Sequence, residues 1–297
     1  MKTWIAGLAF TGIVLASALA VAQPAAKPTI VLVHGAFADS SSWNGVVGIL
    51  EQHGYRVVAV ANPLRSVKTD AAYAQSVIAS IKTPIVLVGH SYGGMVITHA
   101  ASGQMNVKAL VYVAAFAPDV GETAGGLDGK FPGSLLGPAL APPVPLPGGA
   151  HDLYVQQDKF HDAFAPDLPE GAAKLAAVAQ RPITDVAFDE PATTAAWKTI
   201  PSWFVYGDHD TAIPPQGLAF MAERAHPRGT VVVTGTSHVV MNLASPRGRE
   251  SHRGRSNGAL TRQRASGASN VRVLCPNHPA SWPNPFPPLG NEKDDHR

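Results

Sequence analysis

The chain reads as a doubly wound α/β protein: a mainly parallel sheet of about six strands, helices on both faces, and a long insertion after the fourth strand. Three observations predict this. Six short apolar runs recur between residues 29 and 234, they are nearly continuous in Val, Ile and Leu rather than alternating, and segments of helical period stand between them. Strands that are apolar on both faces belong to parallel sheets covered by helices on either side.

The first run, Thr29 to Val33, leads into His34-Gly35-Ala36-Phe37. A helix is predicted over Trp43 to His53, with Trp43, Val46, Val47 and Leu50 at helical spacing, Ser41 or Ser42 as its cap and Gly54 as its stop. The second run is Tyr55 to Val60. Asp70 to Ile81 is the next helix, with Asp70 as cap and Tyr73, Val77, Ile78 and Ile81 on one face. The third run, Pro84 to Val88, passes through Gly89-His90-Ser91-Tyr92-Gly93 into the apolar helix that Gly94 opens, and the fourth run is Val107 to Ala114. From Phe116 to Thr199 the pattern lapses into Pro- and Gly-rich sequence, which predicts a lid at the carboxyl ends of the strands. Within it, Pro142 to Pro147 is expected to be extended polyproline and Ala163 to Gln180 to hold one or two short helices. The fifth and sixth runs are Ser202 to Tyr206 and Thr230 to Thr234.

The two ends differ from this middle. Lys2, the small and apolar stretch Ile5 to Val21, and Ala20-Val21-Ala22 predict an export signal over residues 1–22, so a periplasmic or secreted protein without stable membrane association after cleavage is expected. Residues 23–246 form the predicted domain. They carry 13 Lys and Arg against 17 Asp and Glu, which gives a nucleic-acid partner no electrostatic support. Residues 247–297 open on an Arg-rich stretch without amphipathic period and are expected to be a disordered tail. Cys275 is the single cysteine, so neither an intramolecular disulfide nor a Cys-based metal site is expected.

The chemistry centres on Ser91. A strand-to-helix reversal tight enough to expose a serine needs flanking glycines, because a Cβ there collides with the neighbouring strand or helix. The helix that follows aims free amides at the space where an oxyanion forms. A serine nucleophile needs a base and a group to orient that base, both from loops after later strands. His238 follows the last run and is the expected base. After Tyr206, Asp210 is favoured as the orienting acid, because Asp208 at the first bend is better placed to form the turn. The oxyanion donors are expected to be the amides of Tyr92 and Ala36, with Phe37 as the alternative to Ala36. His34 and His90 are read as shaping their loops, and His209 as exposed. Phe116, Leu135, Tyr154, Phe160, Phe164 and Trp197 are the insertion's candidates for a pocket, although such residues more often belong to the core.

His34-Gly35-Ala36-Phe37 running to Trp43, the turn Gly89 to Met95, and the blocks Tyr206 to Pro214 and Gly235 to Met241 resemble the α/β-hydrolase superfamily. The resemblance is to bacterial esterase-like members related to plant methyl esterases and hydroxynitrile lyases, and it covers residues 28–246. It implies the α/β-hydrolase fold and a triad of Ser91, Asp210 and His238 with the Ala36 and Tyr92 amides, and it favours small esters with short acyl chains. Hydroxynitrile lyases of this kind carry threonine where Gly35 stands and lysine where Val239 stands, so the resemblance favours ester hydrolysis. Members also close with an amphipathic helix where Pro246 is followed by the Arg-rich tail, which suggests a frame-shifted end.

The expected function is therefore a serine hydrolase of a small carboxylic ester, working through an acyl-enzyme with no cofactor and no metal. The same residues would serve a cofactor-free perhydrolase or haloperoxidase, and a non-catalytic small-molecule-binding protein on this scaffold is the reading from another class.

Overall fold

A computed structural model of the protein describes residues 27–244. The export segment at 1–22 and the tail at 247–297, with its suggested frame shift, lie outside the described residues.

Strands β1 (Thr29–Val33), β2 (Arg56–Val60), β3 (Ile85–His90) and β4 (Val107–Val113) pair in the order β2-β1-β3-β4, all parallel. Their Val, Leu and Ile side chains are buried on both faces of β1 and β3, as near-continuous apolar runs require. The strand order reverses at β1, which lies between β2 and β3. Sheets of this kind bind ligands at such a reversal, outside the carboxyl ends of the strands.

Helix α1 (Asn44–Gln52) follows a 3-10 turn over Ser40–Trp43 whose cap is Asp39, accepting from the Ser41 amide at 2.7 Å. Asp39 therefore takes the role expected of Ser41 or Ser42, and the tighter turn moves the start of the α-helix one residue beyond Trp43. Helix α2 (Val67–Ser80), by contrast, begins before its expected start. Ser66 is the cap and receives the Thr69 amide at 3.1 Å, while Asp70 lies inside the first turns, fully buried. The buried stripe is Val67, Ala71, Ala74 and Ile78, with small side chains toward α3 (Gly93–Ala100), so Tyr73 turns outward and is 45% exposed. Every residue of α3 is buried, which explains a helix apolar all round.

The insertion between β4 and the fifth sheet strand holds α4 (Ala124–Asp128), α5 (Leu136–Ala139), β5 (Val144–Pro145), β6 (His151–Leu153), α6 (Phe160–Phe164), α7 (Glu170–Ala179), β7 (Ile183–Thr184) and α8 (Asp185–Asp189). Its β5, β6 and β7 form a small antiparallel sheet. Val144 and Pro145 are thus an edge strand rather than polyproline, a position that tolerates the missing N–H of Pro145. Arg65, in the loop after β2, fastens this sheet to the core through Asp152 at 2.6 Å and the Pro182 carbonyl at 2.8 Å. The main sheet then closes with β8 (Ser202–Gly207), helix α9 (Pro215–Arg224) and β9 (Gly229–Val233), giving six parallel strands in the order β2-β1-β3-β4-β8-β9.

Candidate active site

Ser91 occupies the turn between β3 and α3 at φ 54°, a left-handed conformation that costs a non-glycine residue of order 1–3 kcal/mol and persists only where its surroundings over-determine it. Here they do. A Cβ on Gly89 would stand 2.6 Å from the Gly93 carbonyl oxygen, and one on Gly93 would stand 2.4 Å from the Val33 carbonyl oxygen of β1. The Ser91 amide donates to the Val113 carbonyl at 3.2 Å, and its carbonyl accepts from the Phe116 amide at 3.2 Å, so the end of β4 braces the turn.

The loop after β1 lies directly against the nucleophile, since a Cβ on Gly35 would fall 2.5 Å from Ser91 Cβ. Phe37, in the left-handed region at φ 58°, donates its amide to the Arg181 carbonyl of the insertion at 2.9 Å. That commitment removes Phe37 as an oxyanion donor. The Ala36 and Tyr92 amides donate no hydrogen bond among the described residues, and both are available to a developing negative charge. The Tyr92 side chain is fixed from behind by Asp70 Oδ2, 3.0 Å from its hydroxyl, which is the actual task of the aspartate expected to cap α2. Burial pushes the Asp70 carboxyl up.

His34 sets the other side of this loop. Its Nε2 accepts the Asn62 amide at 3.0 Å, so the proton resides on Nδ1, which donates to the Gly35 carbonyl at 2.9 Å. Burial lowers its pKa and keeps it neutral.

The loops after β8 and β9 bring Asp210 and His238 together. Asp210 Oδ2 accepts from His238 Nδ1 at 2.8 Å, and Oδ1 accepts the Ala212 and Ile213 amides, each at 2.9 Å. The carboxylate is held on both oxygens, and the imidazole is left with Nε2 as its free lone pair. Nε2 is buried and makes no hydrogen bond among the described residues, Ser91 included. Asp208 instead accepts the Gly235 amide at 2.6 Å and Nδ1 of the exposed His209 at 2.5 Å, so it forms the turn. His90 packs its ring 4.7 Å from that of His238 and donates from Nε2 to the His238 carbonyl at 3.1 Å. Desolvation holds His90 well below the ordinary histidine range, so it is a neutral prop that carries the loop of Ser91 up to the loop of His238.

Two carboxylates of the insertion join this arrangement without any motif to announce them. Asp167 accepts both the hydroxyl and, at 3.0 Å, the amide of Ser237, the residue before His238. Asp128, at the end of α4, has its carboxyl pushed up to about 6 by burial, opposed by Ser134 and His238 and reinforced by Asp210, which places it within electrostatic reach of the Asp210–His238 pair. Of the insertion's six pocket candidates, Phe164 meets the His238 ring edge-on at 5.1 Å; Phe116, Phe160 and Trp197 are buried, while Tyr154 is half-buried and Leu135 exposed.

Comparison with known proteins bears on the family and the fold. The model of the alpha/beta hydrolase family matches residues 30–249. Alpha/beta hydrolase nvfD of Aspergillus novofumigatus is 29% identical over 208 residues, 63% of this chain and 80% of that protein. Among solved structures, polyneuridine aldehyde esterase superposes with a TM-score of 0.63 at 17% identity, over 79% of this chain and 100% of that one. A methylesterase from Arabidopsis gives 0.58 at 18% identity, over 78% and 100% of the two chains. The fold is thus shared with plant esterases, as the sequence motifs implied.

Proposed function

The chain belongs to the alpha/beta hydrolase family, and we propose that it is a serine hydrolase that cleaves a small carboxylic ester through an acyl-enzyme on Ser91. The observation that carries this reading is the buried pair of His238 and Asp210, 2.8 Å apart through Nδ1, which leaves His238 Nε2 as the nitrogen that can serve as base to a strained serine turn. Nε2 takes the Ser91 hydroxyl proton as Oγ attacks the ester carbonyl. The charge that develops on the carbonyl oxygen is taken up by the Ala36 and Tyr92 amides, and Asp210 stabilises the imidazolium. Collapse of the tetrahedral species breaks the ester C–O bond, with the proton passing from Nε2 to the leaving alcohol. Water, deprotonated by the same nitrogen, then attacks the acyl-enzyme, releasing the acid and restoring Ser91.

The esterase names of the structural neighbours support the choice of ester over other acyl substrates. A fluorophosphonate probe tests the reading on the purified protein. Labelling that disappears in Ser91→Ala is the expected result, and a folded protein that does not label sinks the proposal.

A further inference from the structure

A cavity of about 580 Å³ lies under the lid helices α6 and α7. Its wall includes Phe37, His90 and Val239, the chain neighbours of Ala36, Ser91 and His238, and the His90 ring stands 4.7 Å from that of His238, so one layer of side chains separates the cavity from the base. The opposite wall is α7, where Ala172, Ala176 and Ala179 recur on one face and Leu175, 75% exposed, stands at the mouth. Between cavity and base stands Phe164, edge-on to Phe37 at 6.1 Å and to His238 at 5.1 Å. Ser91 is 7% exposed and His238 1%, so the reacting groups are covered from solvent while this space beside them is open.

The lining is selective by its chemistry. Gln180 has its amide engaged by the Val155 backbone and the Ala177 carbonyl, and Ser42 donates to the Asp39 carbonyl. The Asp39 carboxylate is occupied by the Ser41 amide and hydroxyl. Among the described residues no Lys or Arg lines the cavity and Asp39 is its single carboxylate, so an anionic group is repelled there and meets no counter-ion. Apart from His90 and Asn242, the remaining lining is apolar, and the cavity is of the size that takes drug-sized ligands.

We propose that this cavity binds the larger, uncharged alkyl or aryl substituent of the ester, and that Phe164 determines how large a substituent reaches Ser91. The proposal rests on the serine-hydrolase reading for its chemistry but not for its binding site. It replaces the expectation of short acyl chains with a preference for bulk on one side of the ester bond.

Two substrate series on the full chain test it, p-nitrophenyl esters of acyl length two to ten carbons and acetates of alcohols of the same lengths. The expected result is a rise in kcat/KM of at least about tenfold along one series, a difference of about 1.4 kcal/mol in transition-state binding. Ala176→Trp, which fills the cavity, is expected to reverse that preference when rates are normalised to fluorophosphonate-reactive protein. Phe164→Ala is expected to extend it to longer members. Flat profiles in both series, or a preference that Ala176→Trp leaves intact, overturn the proposal. Binding of 1-naphthyl acetate to Ser91→Ala, followed by fluorescence, separates the two readings. Binding that Ala176→Trp abolishes upholds the cavity even if no ester is turned over, and absence of binding removes the cavity even if Ser91 labels.

Discussion

The serine turn and the lid above it hold their side chains by opposite means. At the turn, backbone meets backbone: Gly89 against Gly93, Gly93 against β1, and Ser91 between the ends of β3 and β4. In the lid, a few backbone bonds such as Phe37 to Arg181 are joined by side chains that reach across long stretches of chain, such as Asp167 to Ser237, Arg65 to Asp152 and Phe164 to His238. A backbone contact leaves no room for substitution, whereas a side-chain contact can be weakened by degrees. The turn is therefore fixed and the lid adjustable, and specificity belongs to the adjustable part.

Substitution at the turn offers the harshest test of that contrast. Gly93→Ala places a methyl against the Val33 carbonyl, where only backbone can yield, and is expected to remove folded, active protein with a stability loss of about 3 kcal/mol or more. A urea unfolding midpoint equal to that of the wild type would break the comparison. Asp210→Asn acts on the same rigid layer by charge and tautomer, and a kcat loss of about 10⁴-fold is expected. Asp208→Asn serves as its partner experiment, since its carboxylate forms only the turn and its loss should lower thermal stability rather than kcat.

In the lid the effects should be graded. Asp167→Ala frees the Ser237 hydroxyl and amide and is expected to lower kcat about tenfold, equivalent to about 1.4 kcal/mol, with KM little changed. A change confined to KM would show that Asp167 serves binding rather than the placement of His238.

The smallest effect is spread over pH. His34 and His99 each accept a backbone amide at Nε2, from Asn62 and from Thr193, at 3.0 Å in both cases. Protonation forfeits those bonds, and burial lowers both pKa values below 6.5 in the folded chain. The unfolded chain then takes up protons first, so the stability these groups contribute is complete above pH 6.5 and lost as pH falls through the lowered values. Each histidine contributes a slope of at most about 1.4 kcal/mol per pH unit. Asp128 and Asp70, whose carboxyls are pushed up by burial, oppose this between 3.8 and their raised values, while His90, also held low by burial, adds to the decline that sets in as pH falls below 6.5. Denaturant midpoints across pH 7.5 to 5 would check the sign, and a midpoint that rises on acidification would refute it.

The same division decides what could be read from the sequence. Buried parallel strands announce themselves as apolar runs, and the glycines of the serine turn and of the β1 loop are local requirements, so β1 through β4, Ser91 and Ala36 were legible. Asp210 and His238 were legible because strand ends locate the loops that carry them. Asp70 was placed correctly in its helix but given a capping task, because its real partner, the Tyr92 hydroxyl, lies 22 residues away. Asp167 could not be found at all: its partner is 70 residues distant, and a lone aspartate between Pro and Leu carries no periodic signal. The small antiparallel sheet escaped for the related reason that two- and three-residue strands are too short to show alternation.

The hydrogen bond from the Phe37 amide to the Arg181 carbonyl gives the lid a part in the chemistry as well as the fit. In the proposed mechanism it steers one amide of the β1 loop away from the reacting oxygen and leaves that of the preceding residue, Ala36, to meet it. A lid transplanted from a relative to change substrate range would have to present a carbonyl at that same point. A graft matched only for pocket shape would enter with the correct volume and an oxyanion site whose donor had lost its backing.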